Sequence, residues 1–391
     1  MTDLGVIIGG GIAGLAVGLY AQKSSMRLAI LEKAAALNCE DNLLWLAPNG
    51  LHLLADLGLL DELRTVYVPQ QAMLFSTRHL RELTRLDCQK LTRSNGFPIV
   101  AVKRTDLYKL MLRRFLSQGG EVLYEQQVTA ISQQGALVSL SVQGQNRSLD
   151  YDYVIAADGI GSTVRRLVFA GSDVQYQGIC TYLGRSTTSV SATYVGRTIE
   201  AWGTGTRFML TSLDGKVAYW SAIVRPDVYL KNSAPITADF LLQLRSTFAD
   251  YHPDIGSILA SAEPASLHRC NFGVVSGLKT YAAGRICLVG DAAHGMPPNM
   301  GQGASLALED ACFLVQSLRQ AKTVEQAFVH YDERRRPRAK QMVQIANSMN
   351  GTFQPKGRFA SAVRDIAAAT FPPGLSQMRM AHLYKVPFSL N

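Results

Sequence analysis

The stretch "GDAAHGMPPNMGQGASLALEDA", Gly290 to Ala311, sets an acid, a rigid turn and several glycines side by side. Asp291 ends an apolar run, Pro297 and Pro298 stiffen the loop, and a long helix is expected to open at about Ala304. A carboxylate can take hydrogen bonds from a polyol. A bare helix N-terminus offers unpaired N–H groups at the positive end of its dipole. Such a constellation suits a planar ligand that is polar at one edge and carried on a polyol or phosphate.

A second constellation opens the chain. Gly9, Gly11 and Gly14 form GxGxxG directly after the β-rich run "LGVII", with Ile12 and Ala13 starting a helix. The first glycine permits the turn, the second lets a pyrophosphate approach the backbone, and the third lets helix and strand pack closely. The next strand, Arg27 to Glu32, ends in a carboxylate at the distance where ribose hydroxyls are bound, with Lys33 following. Strand, glycine turn, helix, strand and acid together point to a dinucleotide. An acid at Glu32 favours an unphosphorylated ribose, hence FAD or NAD at this site.

The remaining motifs separate those two. "YVIAADGIGSTVRR" (Tyr153–Arg166) is a strand running into Asp158-Gly159, followed by Ser162 and Arg165. With GxGxxG before it and "GDAAHGMPPNMGQG" after it, the chain resembles the class A flavoprotein monooxygenases, the aromatic hydroxylases related to p-hydroxybenzoate and salicylate hydroxylases. The resemblance continues through "LAPNGLHLLADLGLLDEL", "VKRTDLYKLML" and "YDERRRPRA". It implies FAD at the glycine turn and NADPH or NADH as reductant. O2 would add to the reduced flavin, and a flavin C4a-hydroperoxide would deliver one oxygen to a small organic substrate, aromatic or polycyclic.

The resemblance also implies roles. Arg104 should meet the FAD phosphate or ribityl region, Asp158 the pyrophosphate and the pyridine nucleotide, and Asp291 a ribityl hydroxyl. Pro298 should shape the turn by the isoalloxazine. The N–H groups of Gly301, Gln302, Gly303 and Ala304 should face its N1 and O2. His294 reads first as a histidine bonded to a neighbouring backbone group. Arg165 is a candidate guide for the reductant. One departure is plain: "AAALNCEDNLLWLAPNG" lacks the glycine that relatives carry near the flavin, and Glu40, Asp41 and Trp45 occupy the region instead.

The middle of the chain supplies the substrate side. Alternation in "TRFMLTS" puts Arg207, Met209 and Thr211 on one face and Phe208 and Leu210 on the other. Tyr219 and Ser221 share a face of the next strand. Which face is inward stays open at this stage. No residue is singled out as catalytic; Arg207, Tyr219 and Trp45 are the pocket candidates. Rival activities on the same scaffold are epoxidase, halogenase and reductase. The halogenase WxWxIP pattern is missing from the nearest stretch, "YWSAIV". A non-catalytic flavin-binding protein is the rival of a different class.

These residues must be positioned by an α/β frame. The expected architecture is a Rossmann-like FAD-binding domain of the p-hydroxybenzoate hydroxylase type, with an inserted β-sheet substrate domain and C-terminal helices. The FAD domain would take residues 1–70, 98–168 and 280–345, the sheet domain 71–97 and 169–279, and the helical segment 346–391. The sheet region should be antiparallel, with a hairpin at Leu213–Lys216. Asn49–Leu63 should be one helix, and Thr105 or Asp106 should cap the helix that follows.

Composition agrees with a globular enzyme: 391 residues, 47% hydrophobic and 18% charged. The six cysteines are far apart, with no CxxC and no metal-ligand spacing, which points to no metal and a reduced, cytoplasmic setting. The net charge of +9 suits anionic small molecules. Its basic residues are scattered, so nucleic acid is not implied. No apolar run is long enough for a membrane span. The Arg334–Arg338 run reads as a solvated face at the end of a helix. A monomer or homodimer is expected.

Overall fold

The computed structural model describes residues 4–36, 42–187, 191–225 and 236–390. Its first sheet runs Ala282–Ala283, Ile286–Leu288, Tyr153–Ala156, Gly5–Ile8, Ala29–Leu31, Val122–Leu123. The last five are parallel neighbours, with Val6 opposite both Val154 and Ala29. Gly5–Ile8 and Tyr153–Ala156 are buried at every residue, as befits parallel strands covered on both faces. Helices Ile12–Lys23, Arg104–Ser117 and Gly303–Gln320 pack with them into one apolar core.

The second sheet has seven strands, in the order His268–Val275, Val174–Ser186, Ala218–Val224, Thr206–Ser212, Arg197–Trp202, Ala72–Thr77, Glu82–Asp87. Phe208, Leu210 and Trp220 lie on one face and pack against helices Ala238–Thr247 and Pro253–Ala260. The expected hairpin forms between Thr206–Ser212 and Ala218–Val224. Gly215 adopts φ +77°, and Asp214 Oδ1 accepts the Lys216 and Val217 amides. One pairing departs from the antiparallel expectation: Arg197–Trp202 runs parallel to Ala72–Thr77. Those strands are not joined by a hairpin, so no tight turn dictates their direction.

Local boundaries differ too. Asn49–Leu63 is two helices, Pro48–Asp56 and Leu60–Leu63, because Gly58 takes φ +68° between them. Helix Arg104–Ser117 is capped two or three residues earlier than expected, at Lys103. No side chain caps it there; instead the Arg104 amide donates to the Asn42 carbonyl at 2.7 Å. The boundary expected between 345 and 346 falls inside the helix Val324–Phe353, which runs through Pro337.

The largest correction concerns the basic run. Arg334–Arg338 lies in the middle of that helix, and Arg335 is 1% exposed. Its guanidinium meets two adjacent carboxylates of helix Gly303–Gln320, both fully buried: Asp310 at 2.9 Å and Glu309 at 2.7 Å. Arg338 approaches Glu309 at 3.3 Å. A buried acid without such partners is costly, and removing one member of a buried pair costs about 3–5 kcal/mol. The run is therefore split, with Arg334 exposed and Arg335 structural.

His294 belongs to the same cluster. Its Nε2 lies 2.5 Å from Asp310 Oδ2, not on a backbone group as expected, and the Gly290 amide donates to that same oxygen at 3.0 Å. Burial pushes the His294 imidazole down, but the Asp310 carboxylate outweighs it and the net direction is up. Burial acts to raise the Asp310 carboxyl, yet His294 and Arg335 hold it at about 2. The histidine's contribution is complete below its unfolded value of about 6.5 and is lost as pH rises through the higher folded value. The aspartate's contribution is present above its ordinary value and lost as pH falls towards 2. A His294→Gln variant should therefore melt below the parent by a gap that is widest near pH 5.5 and narrows by pH 9. Thermal denaturation at both pH values checks this; a gap that widens at pH 9 contradicts it.

Candidate active site

The opening glycine turn has the shape of an anion cradle. Gly9 takes φ +101°, and a Cβ there would lie 2.5 Å from the Ala157 carbonyl oxygen. A Cβ on Gly14 would fall 1.9 Å from Gly9 O, so helix and strand tolerate only hydrogen at that contact. Gly11 is different: a Cβ there would meet no described atom within 4 Å. The open space lies at the N-cap of Ile12–Lys23, where no side chain bonds the first N–H groups. Ile12 is buried and Ala13 half-buried behind the turn, and Lys33 is exposed.

Glu32 stands at the same end. Its Oε2 accepts the Gly10 amide at 2.7 Å and its Oε1 the Ala34 amide at 2.9 Å. A carboxylate has further lone pairs for ribose hydroxyls. Asp158 completes the wall: Oδ2 accepts the Thr163 and Val164 amides, while Oδ1 is buried with no partner among the described residues. Gly9, Glu32 and Asp158 are thus brought together, and an orphaned oxygen faces no described group. Arg104 is exposed at the start of its helix.

Arg165 does not meet the expectation for a reductant guide. It is fully buried, and its guanidinium donates to the carbonyls of Ser172 (2.9 Å), Ala292 (2.9 Å) and Ile160 (2.5 Å). Burial lowers its pKa, with Asp158 the largest opposing charge. Those carbonyls occupy the donors, so Arg165 ties the turn after Asp158 to the helix that starts at Asp291.

The second constellation is compact. Gly290 takes φ +58°, and exposed Asp291 begins the short helix Asp291–His294. A Cβ on Gly303 would lie 3.8 Å from Asp291 Oδ1, so the acid stands beside the start of helix Gly303–Gln320. That helix has Gln302 at its N-cap without a side-chain bond, leaving Gly303 and Ala304 in an uncapped first turn. Pro298 is exposed and Gly301 takes φ +61°. Gln302 is held from behind by Asn49, whose Nδ2 donates to Gln302 Oε1 (3.0 Å) and to Glu309 Oε1 (2.7 Å).

The seven-stranded sheet meets this loop directly. Arg207 Nη2 donates to Asn299 Oδ1 at 2.9 Å, and Nη1 pairs with Glu200 at 2.9 Å. The face carrying Arg207 is therefore turned to the loop that holds Asn299, which settles the alternation. Tyr219 and Thr211 are paired on neighbouring strands on that face. Trp45 backs Gly301, where a Cβ would meet its Cβ at 3.1 Å, and its indole N–H donates to Thr198 Oγ1 at 2.9 Å. Glu40 and Asp41 lie outside the described residues.

Several participants carry no local signal in the sequence. Phe353 stacks on Trp202 at 4.9 Å, Phe75 lies 6.0 Å from Phe353, and the Arg207 guanidinium sits 5.3 Å over Phe353. Only the alternation of Arg197–Trp202 and Ala72–Thr77 could have put Trp202, Glu200 and Phe75 on one face. A cavity of about 220 Å³ opens nearby, lined by Gln177, Ile179, Arg225, Asn347 and Asn350. Asn299 Nδ2 donates to Asn350 Oδ1, so this cavity adjoins the Arg207 contact. Among the described residues no His, Cys, Asp and Glu group has metal-site geometry.

Known proteins share this plan. A family model described as FAD binding domain matches residues 2–346. An aurachin C monooxygenase/isomerase of Stigmatella aurantiaca is 26% identical over 369 residues, covering 93% of each chain. An FAD-dependent urate hydroxylase of Klebsiella pneumoniae is 24% identical over 341 residues, 86% of this chain and 87% of that one. Among solved structures, Klebsiella pneumoniae HpxO complexed with FAD and uric acid superposes with a TM-score of 0.87 at 22% identity, covering 97% and 96%. The tetracycline destructase Tet(55) gives 0.74 at 20% identity over 99% of both chains.

The open space at Gly11 yields a sharp test of the cradle. Its φ of −72° and ψ of −172° are open to valine, and no neighbour blocks the side chain. Gly11→Val should keep the melting temperature of the apoprotein yet weaken FAD binding by more than roughly 100-fold, because the side chain fills the pyrophosphate's place. Titration of both apoproteins with FAD measures this; equal affinity contradicts the placement.

Proposed function

The chain belongs to the FAD binding domain family and is a flavoprotein monooxygenase; on that premise we propose how its residues serve the reaction. FAD lies along the two glycine-rich ends of the first sheet. The adenosine half is held at Gly9, Gly11, Gly14 and Glu32, and the pyrophosphate sits over the open N-terminus of Ile12–Lys23, with Asp158 and Arg104 alongside. Asp291 takes a ribityl hydroxyl. Pro298, Gly301, Gln302, Gly303 and Ala304 border the isoalloxazine. When bound, FAD accepts electrons from NADPH or NADH and activates O2, one oxygen of which enters the organic substrate.

This chain's own residues bind, orient and exclude water. The uncapped N–H groups at Gly303 and Ala304 stabilise negative charge at the pyrimidine edge of the ring. Asn49 fixes the Gln302 side chain, so those amides need no reorganisation. The single observation that carries the reading is the 2.9 Å bond from Arg207 to Asn299, where the substrate sheet meets the flavin-side loop. Phe75, Trp202 and Phe353 supply an apolar wall beside it, and Trp45 supports the loop from the other side. Arg207 and Tyr219 offer polar groups to a substrate's edge. This combination supports a planar aromatic or polycyclic substrate with a polar or anionic rim, held in a dry pocket. In keeping with that class, relatives of this chain include a urate hydroxylase and an aurachin C monooxygenase/isomerase.

GxGxxG occurs once in the sequence, at Gly9–Gly14, where FAD is placed, so NAD(P)H meets the flavin from an open groove. The encounter then depends on the basic net charge of +9, whose attraction for a phosphate-bearing anion is screened beyond about 8–10 Å at physiological ionic strength. Anaerobic stopped-flow reduction should show a weak apparent dissociation constant for NAD(P)H that rises with salt. A tight, salt-insensitive constant contradicts the open-groove reading, and no reduction at any concentration contradicts the use of NAD(P)H.

A further inference from the structure

Two helices near the end of the chain expose large apolar side chains, and the first is amphipathic in the inverted sense. In Arg358–Thr370 the inward face is polar: Ser361 and Arg364 are buried. Arg364 Nη1 donates to the carbonyls of Gly203 and Phe353, both at 2.9 Å, and its guanidinium lies 5.2 Å over Trp202. The outward face carries Phe359, Val363 and Ile366, at 84%, 51% and 65% exposure. Their spacing of four and three residues puts them on one stripe.

Helix Pro373–Leu383 packs inward through Leu383 and Met380, and it too leaves apolar side chains outside. Gln377 faces inward and exchanges hydrogen bonds with the Asp87 backbone, donating to its carbonyl at 2.8 Å and accepting its amide at 3.2 Å. Leu375 and Met378, three residues apart, stand outward on it, and Phe371 stands outward in the link before it, each more than half exposed. Isolated exposed apolar residues are ordinary, but six large ones between 359 and 378, on two consecutive helices and their link, are of the kind that marks a docking surface.

Charge identifies the occupant. Lys356, Arg358, Arg379 and Lys385 are exposed around the patch, and Lys90 and Arg93 are exposed on the adjoining helix Cys88–Asn95. Asp365 is the only acid between 354 and 390, and it is paired with Arg364 at 2.7 Å. A second copy docked across a two-fold axis would bring two such cationic rims together. An anionic lipid surface instead receives the apolar stripes among its acyl chains and the basic rim among its headgroups. At 13 and 11 residues, these helices are too short to span a bilayer, and no helix among the described residues is long and apolar enough to do so.

We propose that the surface formed by Phe359, Val363, Ile366, Phe371, Leu375 and Met378 docks this enzyme peripherally on anionic lipid bilayers. The patch shares a wall with the candidate active site, because Arg364 touches Trp202 and the Phe353 carbonyl. The proposal concerns attachment alone and holds whatever the substrate.

The test is co-sedimentation of the full chain with vesicles of phosphatidylcholine, and with vesicles of phosphatidylcholine and phosphatidylglycerol in a three-to-one mixture. Binding should be strong only to the mixed vesicles and should fall as salt is raised. The triple variant Phe359→Ser, Ile366→Ser, Met378→Ser should lose at least roughly ten-fold in partitioning, since each apolar chain contributes by burial. If that variant fails to fold, the charge reversal Lys356→Glu, Arg358→Glu, Arg379→Glu reads the same surface and should abolish the preference for phosphatidylglycerol. Absence of vesicle binding, or equal binding to both vesicle types, overturns the proposal. So does a dimer in solution that the serine substitutions convert to monomer.

Discussion

Two neighbouring carboxylates, Glu309 and Asp310, are buried without exposure in the helix that starts at Gly303, and the architecture of the candidate site depends on their neutralisation. Arg335, from the following long helix, supplies the charge that makes their burial tolerable. Each carboxylate then does a second job. Asp310 holds the Gly290 amide and His294, which fixes the turn that presents Asp291. Glu309 holds Asn49, which holds Gln302 at the helix N-terminus. One ion cluster therefore sets the positions of both the acid and the N–H groups of the candidate site, about two helical turns from the helix start where those N–H groups lie.

The second sheet contributes by meeting that assembly at a few specific contacts. Arg207 bridges Glu200 of its own sheet and Asn299 of the loop before helix Gly303–Gln320. Asn299 in turn bonds Asn350 and the Ala346 carbonyl of the long helix that carries Arg335. Sheet, loop and helix are thus joined at one point, beside the Phe75, Trp202 and Phe353 rings. A monooxygenase needs a pocket where oxygen chemistry is shielded from water, and an interface closed by aromatic rings and a buried ion pair provides that wall.

What the sequence made legible was local. The glycine turn, Glu32 at a strand end, the Asp214-Gly215 hairpin and the helix opening at Gly303 each follow from a few adjacent residues whose backbone geometry their types dictate. What stayed hidden was set by partners distant in the chain. Nothing in "ERRRPR" distinguishes Arg335 from Arg334, because burial of the first depends on a helix 25 residues earlier. His294 looked like a backbone-bonded histidine until Asp310 was brought beneath it, 16 residues on. Arg165 had a carboxylate close in sequence, yet its guanidinium found carbonyls on three separate segments. The parallel pairing of Arg197–Trp202 with Ala72–Thr77 was likewise invisible to strand alternation, which reports faces and not neighbours.

Central to the proposed function is the claim that the first glycine turn and Glu32 bind the adenosine half of FAD, beyond what the isoalloxazine end contributes. Titrating the apoprotein with FAD and with FMN, following flavin fluorescence, tests that claim most directly. FMN lacks the part that would reach Gly11 and Glu32. FAD should bind roughly 100-fold more tightly, the equivalent of about two hydrogen bonds to a charged group at about 1.5 kcal/mol each. Equal dissociation constants for the two flavins would contradict it.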